Sequence, residues 1–300
     1  MFSMGGFHIL FQVYLIYIYR MDKIYLTEVV LLTKTYNLQD FKDWLHWHLD
    51  IVGFNHAHIF DNESSVDIKT VCEEYGDRVS YELIKGWPDQ YNLYNRYINN
   101  ESKAWWVLPI DDDEFLYVSD KYENNINTFL YTNTFIKNNN IHKLCIGWRN
   151  LFPSYFTEKR LNNNIILNAT GWSNEACSIW QDGNEPVKTI VWLGQKYEWA
   201  DKPGLHKTHN PFTVGKDEKS FTLNGEEILR CKQQNATKGT EDLIIYHYQY
   251  KSNEEWINKC KTRKSPGSKY FKKDYPDIFK KLYGSYKINE DLRMVELWNG

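Results

Sequence analysis

The feature that most restricts the fold of this chain is the order of its segments between residues 25 and 75. Residues 25–32 (YLTEVVLL) are β-branched and apolar, as a buried strand requires. Asn37 and Asp40 then offer helix starts. Phe41, Trp44, Leu45, His48, Leu49 and Val52 recur at helical spacing as far as Gly53, which stands where a C-terminal cap belongs. Residues 54–60 read as a second strand closing at Asp61-Asn62, and Ser64 with Asp67 three residues later reads as a capping box opening a helix through Tyr75. Strand, helix, strand, helix with short joints makes a parallel sheet, because such crossovers force the strands to run the same way. The expected fold class is therefore α/β, a mixed, mainly parallel sheet flanked by helices.

Residues 105–110 (WWVLPI) supply another apolar strand, and Asp111, Asp112, Asp113 and Glu114 follow it at once. In open α/β sheets the ligand crevice lies at the carboxyl ends of the strands. If the run stays extended, alternation puts Asp111 and Asp113 on one side and turns Asp112 away, with Glu114 in support. Two carboxylates on one side are half a site for a hard cation, and Mg²⁺ or Mn²⁺ commonly leaves positions for water and substrate phosphates. A solvated acidic turn is the commoner fate of such a string; its place after a buried strand favours a site.

Asp61-Asn62 falls at the same sheet edge, where a carboxylate can bond a ribose or a base, although helix capping explains these residues equally well. His206 and His209 lie in a loop rich in Gly, Pro and Lys, and neutral imidazole is a good ligand for Mn²⁺ or Zn²⁺. His247, inside an aromatic strand expected over 243–250, reads more simply as a structural histidine. Lys188, Lys251, Lys259, Lys261 and Arg263 are candidate phosphate partners. Further elements are a strand at 143–148 and a helix over 253–264, while 150–210 yields no clear assignment.

Composition narrows the function classes. A net charge of -3 gives no overall field for nucleic acid, despite a basic stretch at 251–281. The aromatic content (12 Trp, 22 Tyr, 15 Phe) exceeds ordinary core filling and suits stacking on sugar or flat rings. Five scattered cysteines lack zinc or disulfide spacing and point to free thiols in a reducing, cytoplasmic compartment. The apolar stretch at 9–19 is shorter than the roughly 20 residues a span needs and is stopped by Arg20, Asp22 and Lys23. It offers membrane association without crossing, or an extension ahead of Met21. Sequons at Asn62, Asn100, Asn168 and Asn235 are what an Asn-rich chain supplies by chance. The expected organisation is an N-terminal extension at 1–20, one catalytic domain at 21–265 and a C-terminal extension at 266–300.

Taken in order, FKDWLHWHLDIVGFNHAHIFDNESSVD, WWVLPIDDDEF, KTIVWL with the later His206, and HYQYKSNEEWINK resemble glycosyltransferase family 92 and related family 2-like enzymes. The similarity covers roughly residues 25 to 265, and the DxDEF element is its most specific part. It implies a GT-A (Rossmann-like) fold, a nucleotide-sugar donor such as a UDP-sugar, and Mn²⁺ between the carboxylates and the diphosphate. By position, Asp111 and Asp113 become the metal motif, joined by His206 or His247. Asp61, Asn62, Gln90, Asn95, Asp112, Lys188 and Lys251 fall to the donor. The chain departs from the family in having Asp112 inside DxD, KTYN in the first loop, and GWRNLFPSYF without the usual glycines.

The reading that follows is an inverting transfer of a sugar to a hydroxyl acceptor on a glycan, with Glu175 or Asp182 taking the hydroxyl proton. A hydrolase using Asp111, Asp113, His206 and His247 around a metal-activated water is the first alternative. A non-catalytic carbohydrate-binding protein is the second.

Overall fold

The computed structural model describes residues 23–86, 88–154, 157–172, 187–198, 212–213, 220–223, 225, 227–228, 241–248, 250–262 and 288–300. The N-terminal extension, Glu175, Asp182, His206 and His209 lie outside these residues.

The expected mixed, mainly parallel sheet is present. Strands β1 (Tyr25–Thr33), β2 (His56–Asp61), β3 (Val79–Leu83) and β4 (Ala104–Ile110) run parallel in the order β3-β2-β1-β4. The crossovers are α1 (Leu38–His46), which continues as a π-helical turn at Trp47–Ile51, then α2 (Ile68–Glu74) and α3 (Gln90–Asn100). Alternation along β1 serves two faces. Val29 and Leu31 join a core with Trp44, Leu45, Trp47 and Phe115, while Val30 joins Phe60, Tyr94, Tyr97 and Val107. Sealing both faces of the sheet is what lets β1 be apolar almost throughout; each such aliphatic side chain contributes about 1.5–3 kcal/mol.

The local signals act as expected, with one exception. Asn37 caps α1, its side chain accepting from the Gln39 and Asp40 N–H groups. Gly53 has φ of +80°, a backbone conformation that L side chains rarely adopt, so glycine is favoured there. Ser64 does not open α2. Its hydroxyl accepts from the Thr35 N–H and its own N–H donates to Asp61 Oδ1, tying the loops after β1 and β2 together. Asp67 caps the helix instead, accepting from Thr70 N–H.

Beyond β4 the chain reverses into β5 (Glu114–Val118), and the helices α4 (Ile126–Thr132) and α5 (Thr134–Asn138) lead to β6 (Lys143–Asn150). After α6 (Ile165–Asn168), β7 (Val187–Trp192) inserts antiparallel between β4 and β6. The short β8 (Ser220–Phe221) and β9 (Glu227–Ile228) extend that edge. The sheet forks at β6. Its first half pairs with β7, and its last residues pair in parallel with β10 (Leu243–His247), which runs antiparallel to β5. The fork brings Glu114, His247 and Asn150 into register at one point.

Among the described residues that follow, two helices are present, α7 (Asn253–Thr262) and α8 (Arg293–Asn299). The segment at 288–300 packs on the domain: Met294 is 1 % exposed, and Trp298 stacks on Trp47 with centroids 6.4 Å apart. Among the described residues no helix is long and apolar enough to cross a membrane.

His48, on the π-helical turn, is fully buried. Its Nδ1–H donates to the Trp44 carbonyl (2.8 Å) and its Nε2 accepts from Leu116 N–H (3.3 Å), which together fix a neutral ring. Burial pulls its pKa down from 6.5 to about 3. The unfolded chain therefore takes up a proton below pH 6.5 that the folded chain refuses, so stability is full above that pH and is lost as pH falls toward 3. Urea unfolding is expected to show a loss of about 2 kcal/mol from this group between pH 7 and 5, and a smaller loss in His48→Gln.

Candidate active site

The acidic run is a tight turn between β4 and β5. An extended continuation would have carried β4 beyond its partners, whereas the turn sends β5 to pair with β10; Glu114 N–H donates to the Asp111 carbonyl (3.1 Å) and closes it. Strand alternation therefore does not govern Asp111 to Asp113. Their carboxylates fan out, and Asp112 is not turned away from the neighbouring strand ends: its Oδ2 accepts from Thr33 Oγ1–H (2.6 Å) at the carboxyl end of β1.

Helix α1 holds the turn from beneath. The Trp44 indole N–H donates to the carbonyls of both Asp111 (3.2 Å) and Glu114 (3.1 Å), and the Trp47 indole N–H donates to that of Leu116 (2.7 Å). Positions 44, 47 and 48 share a helix face, so one apolar stripe delivers every one of these bonds. Trp44→Phe leaves the ring in place and removes the donor. It is expected to cost about 1–3 kcal/mol in urea unfolding and to weaken divalent-cation binding, because the turn loses its support.

Asp111 Oδ2 accepts from Lys188 Nζ on β7 (3.0 Å), and Gln90 Nε2 approaches Oδ1 at 3.5 Å. Lys188 also reaches Glu114 Oε2 (3.1 Å), which the Asp111 N–H supports at 2.8 Å. Glu114 is fully buried, and its Oε1 has no hydrogen-bond partner among the described residues. Burial pushes this carboxyl up to about 8. Burial works against the charge on Lys188, but the carboxylates outweigh it and its pKa is raised.

On the other flank His247 Nε2 stands 3.3 Å from Asp113 Oδ1, and its Nδ1 meets Asn150 Oδ1 at 2.8 Å. The imidazole thus bridges the Asn150 amide and the Asp113 carboxylate, and which of its nitrogens carries a proton follows from the orientation of that amide. The oxygen and imidazole donors of Asp111, Asp113 and His247 suit Mn²⁺ or Mg²⁺. Among the described residues no group of three or more His, Cys, Asp or Glu side chains is placed so that it could hold a metal ion by itself.

Lys251 lies in the electrostatic range of Asp112 and Asp113 and is anchored to Asp40 Oδ2 (2.5 Å). Asp40 in turn receives Arg160 through NH1 (2.5 Å) and NH2 (2.6 Å). Burial would raise the Asp40 carboxyl, but the two cations hold it below the usual range.

The structure thus gathers Asp111, Asp112, Asp113, His247, Lys188, Gln90 and, more distantly, Lys251. Asn95 is half-buried one helical turn beyond Gln90. Asp61 and Asn62 are committed internally: Asp61 accepts from Ser64 N–H and Tyr81 OH, and the Asn62 amide donates to the carbonyls of Ile84 and Gly86. Thr33, Asp40, Asn150 and Arg160 are additions that sequence reasoning missed. Thr33 was detectable as the polar residue that ends β1; the others depend on contacts more than 90 residues apart in sequence.

No protein-family model matches the sequence, and no curated protein matches it. Among solved structures the chain is similar to 4-diphosphocytidyl-2C-methyl-D-erythritol synthase from Anaerococcus prevotii, with TM-score 0.29 and 10 % identity over 47 % of this chain and 60 % of that one. It is also similar to S. aureus TarS 1-349 in complex with UDP-GlcNAc, with TM-score 0.30 and 14 % identity over 56 % of this chain and 45 % of that one. TarS 1-349 in complex with UDP gives TM-score 0.30 and 13 % identity over 56 % of this chain and 47 % of that one. The chain thus spans 60 % of the length of the synthase and about half that of TarS 1-349. Overlaps this partial leave the chemistry to be judged from the site itself.

Proposed function

We propose that the chain is a metal-dependent glycosyltransferase that moves a sugar from a nucleoside-diphosphate donor, a UDP-sugar, to a hydroxyl acceptor on a glycan. The observation that carries this reading is the carboxylate turn at the end of β4, with His247 Nε2 3.3 Å from Asp113 Oδ1 and two lysines behind it. Asp113 and His247, with Asp111 beside them, would hold Mn²⁺ or Mg²⁺. When bound there, the cation supplies positive charge to the departing diphosphate.

The chain's own groups do the rest. Lys251 is anchored through Asp40 and brings a permanent charge to the crevice. Thr33 keeps Asp112 at the mouth of β1, and Asn150 fixes the His247 ring. Asp61 and Asn62 support the donor side by holding the loops that end β1, β2 and β3. For inverting transfer the hydroxyl proton needs a carboxylate, and Glu175 and Asp182 remain the proposed bases.

A panel of sugar nucleotides, assayed for hydrolysis and transfer with and without Mn²⁺, tests the reading. Mn²⁺-dependent release of the nucleoside diphosphate from one donor supports it. Metal-dependent phosphodiester cleavage with no sugar acceptor and no response to any sugar nucleotide would replace it with the hydrolase.

A further inference from the structure

The acidic turn contains its own cation. Lys188 projects from β7 between Asp111 and Glu114, with its side chain only 6 % exposed. Lys251 is different: it is anchored outside the turn, on Asp40. A buried ammonium persists only where carboxylates compensate it. The converse also holds, because Asp111 presents to any incoming metal a carboxylate whose charge is already balanced. With Asp111 engaged in this way, and with no group of three or more His, Cys, Asp or Glu side chains among the described residues placed to hold a metal ion, the protein without nucleotide has little with which to hold a divalent cation.

We propose that Lys188 is a built-in counter-ion that holds the acidic turn together before metal arrives and, by occupying Asp111, keeps divalent-cation affinity low until a nucleoside diphosphate completes the coordination shell. This rests on the metal-dependent transferase reading. It assigns Lys188 to the carboxylates, where the sequence suggests a contact with the donor phosphates.

The test is Mn²⁺ binding to the full chain without nucleotide, followed by the loss of the free-ion electron paramagnetic resonance signal and by thermal unfolding with and without Mn²⁺. Lys188→Met should bind Mn²⁺ at least about tenfold tighter than wild type, since one unit of opposing charge at contact distance is gone. Its unfolding temperature should also rise more on adding Mn²⁺. The double variant Lys188→Met, Asp111→Asn should return to the wild-type affinity, because the released charge has been removed. Unchanged Mn²⁺ affinity in Lys188→Met, with weakened UDP binding, would overturn the proposal and make Lys188 a phosphate contact. If Lys188→Met does not fold without metal, recovery by Mn²⁺ and by the added Asp111→Asn supports the proposal, and recovery by neither overturns it. Wild type that ignores Mn²⁺ even with UDP present overturns the metal site itself; wild type that responds, with no gain in Lys188→Met, overturns only the role of the lysine.

Discussion

Replacing Asp113 by Asn is expected to lower Mn²⁺-dependent turnover of a sugar nucleotide by about a thousandfold while leaving the unfolding temperature close to that of wild type. The asymmetry comes from the position of the residue. Its backbone carbonyl accepts from Tyr248 N–H, a bond that Asn keeps, so the junction of the turn with the segment after β10 survives. Its carboxylate lies 3.3 Å from His247 Nε2, so the substitution removes a formal negative charge beside the imidazole. An amide oxygen in its place is a poorer cation ligand, and an amide can still hydrogen-bond Nε2 in either ring tautomer. Steady-state assays with and without Mn²⁺, together with circular dichroism, read the two halves of this prediction. Full activity in a folded Asp113→Asn protein would remove Asp113 from the site.

The second large effect is on stability. Asp291→Ala is expected to cost about 3–5 kcal/mol in urea unfolding. Asp291 Oδ2 is the meeting point of Arg149 (2.5 Å), Tyr246 OH (2.7 Å) and Arg293 (2.6 Å), and Asp291 is 6 % exposed. Removing it leaves the Arg149 guanidinium, 8 % exposed, with Glu241 at 3.5 Å as its remaining carboxylate among the described residues. It also frees the segment that carries Met294 into the core and Trp298 onto Trp47. Trp47 bonds the Leu116 carbonyl just after the acidic turn, so the loss of this anchor is felt toward the site. Burial alone would raise the Asp291 carboxyl, but its hydrogen bonds from Arg293, Tyr246 and Arg149 hold it well below the ordinary range. Its contribution is therefore present above the unfolded carboxylate value and is lost as pH falls below about 4, which is the sign expected of a depressed acid.

The first half of the fold was legible in the sequence because its information is local. The apolar run of β1, the stripe from Phe41 to Val52 and the glycine at 53 each encode their own geometry, and the parallel order of β1 to β4 follows from the crossovers. The acidic turn was legible as a position but not as a shape. Whether a chain continues or reverses after a strand depends on the next partner, here β10, which lies more than 120 residues later. The same distance hid the roles of Asp40, Asn150 and Arg160, all set by contacts from elsewhere in the chain. Asp61 and Asn62 show the opposite failure. Their strand-end place is as expected, yet Asp61 accepts from Ser64 and Tyr81 and the Asn62 Nδ2 donates to Ile84 and Gly86, contacts that periodicity cannot foresee. The docking of 288–300 was invisible for a third reason: it rests on a buried ion pair and a few scattered apolar residues rather than on a repeating pattern.

The most direct test of the central claim is calorimetric titration of UDP into the wild-type chain, once with Mn²⁺ and once with a chelator. The account predicts saturable binding with Mn²⁺ that weakens at least about tenfold in chelator, a difference of about 1.4 kcal/mol or more. Equal affinity under the two conditions would contradict a cation held at the Asp111 to Asp113 turn between protein and diphosphate.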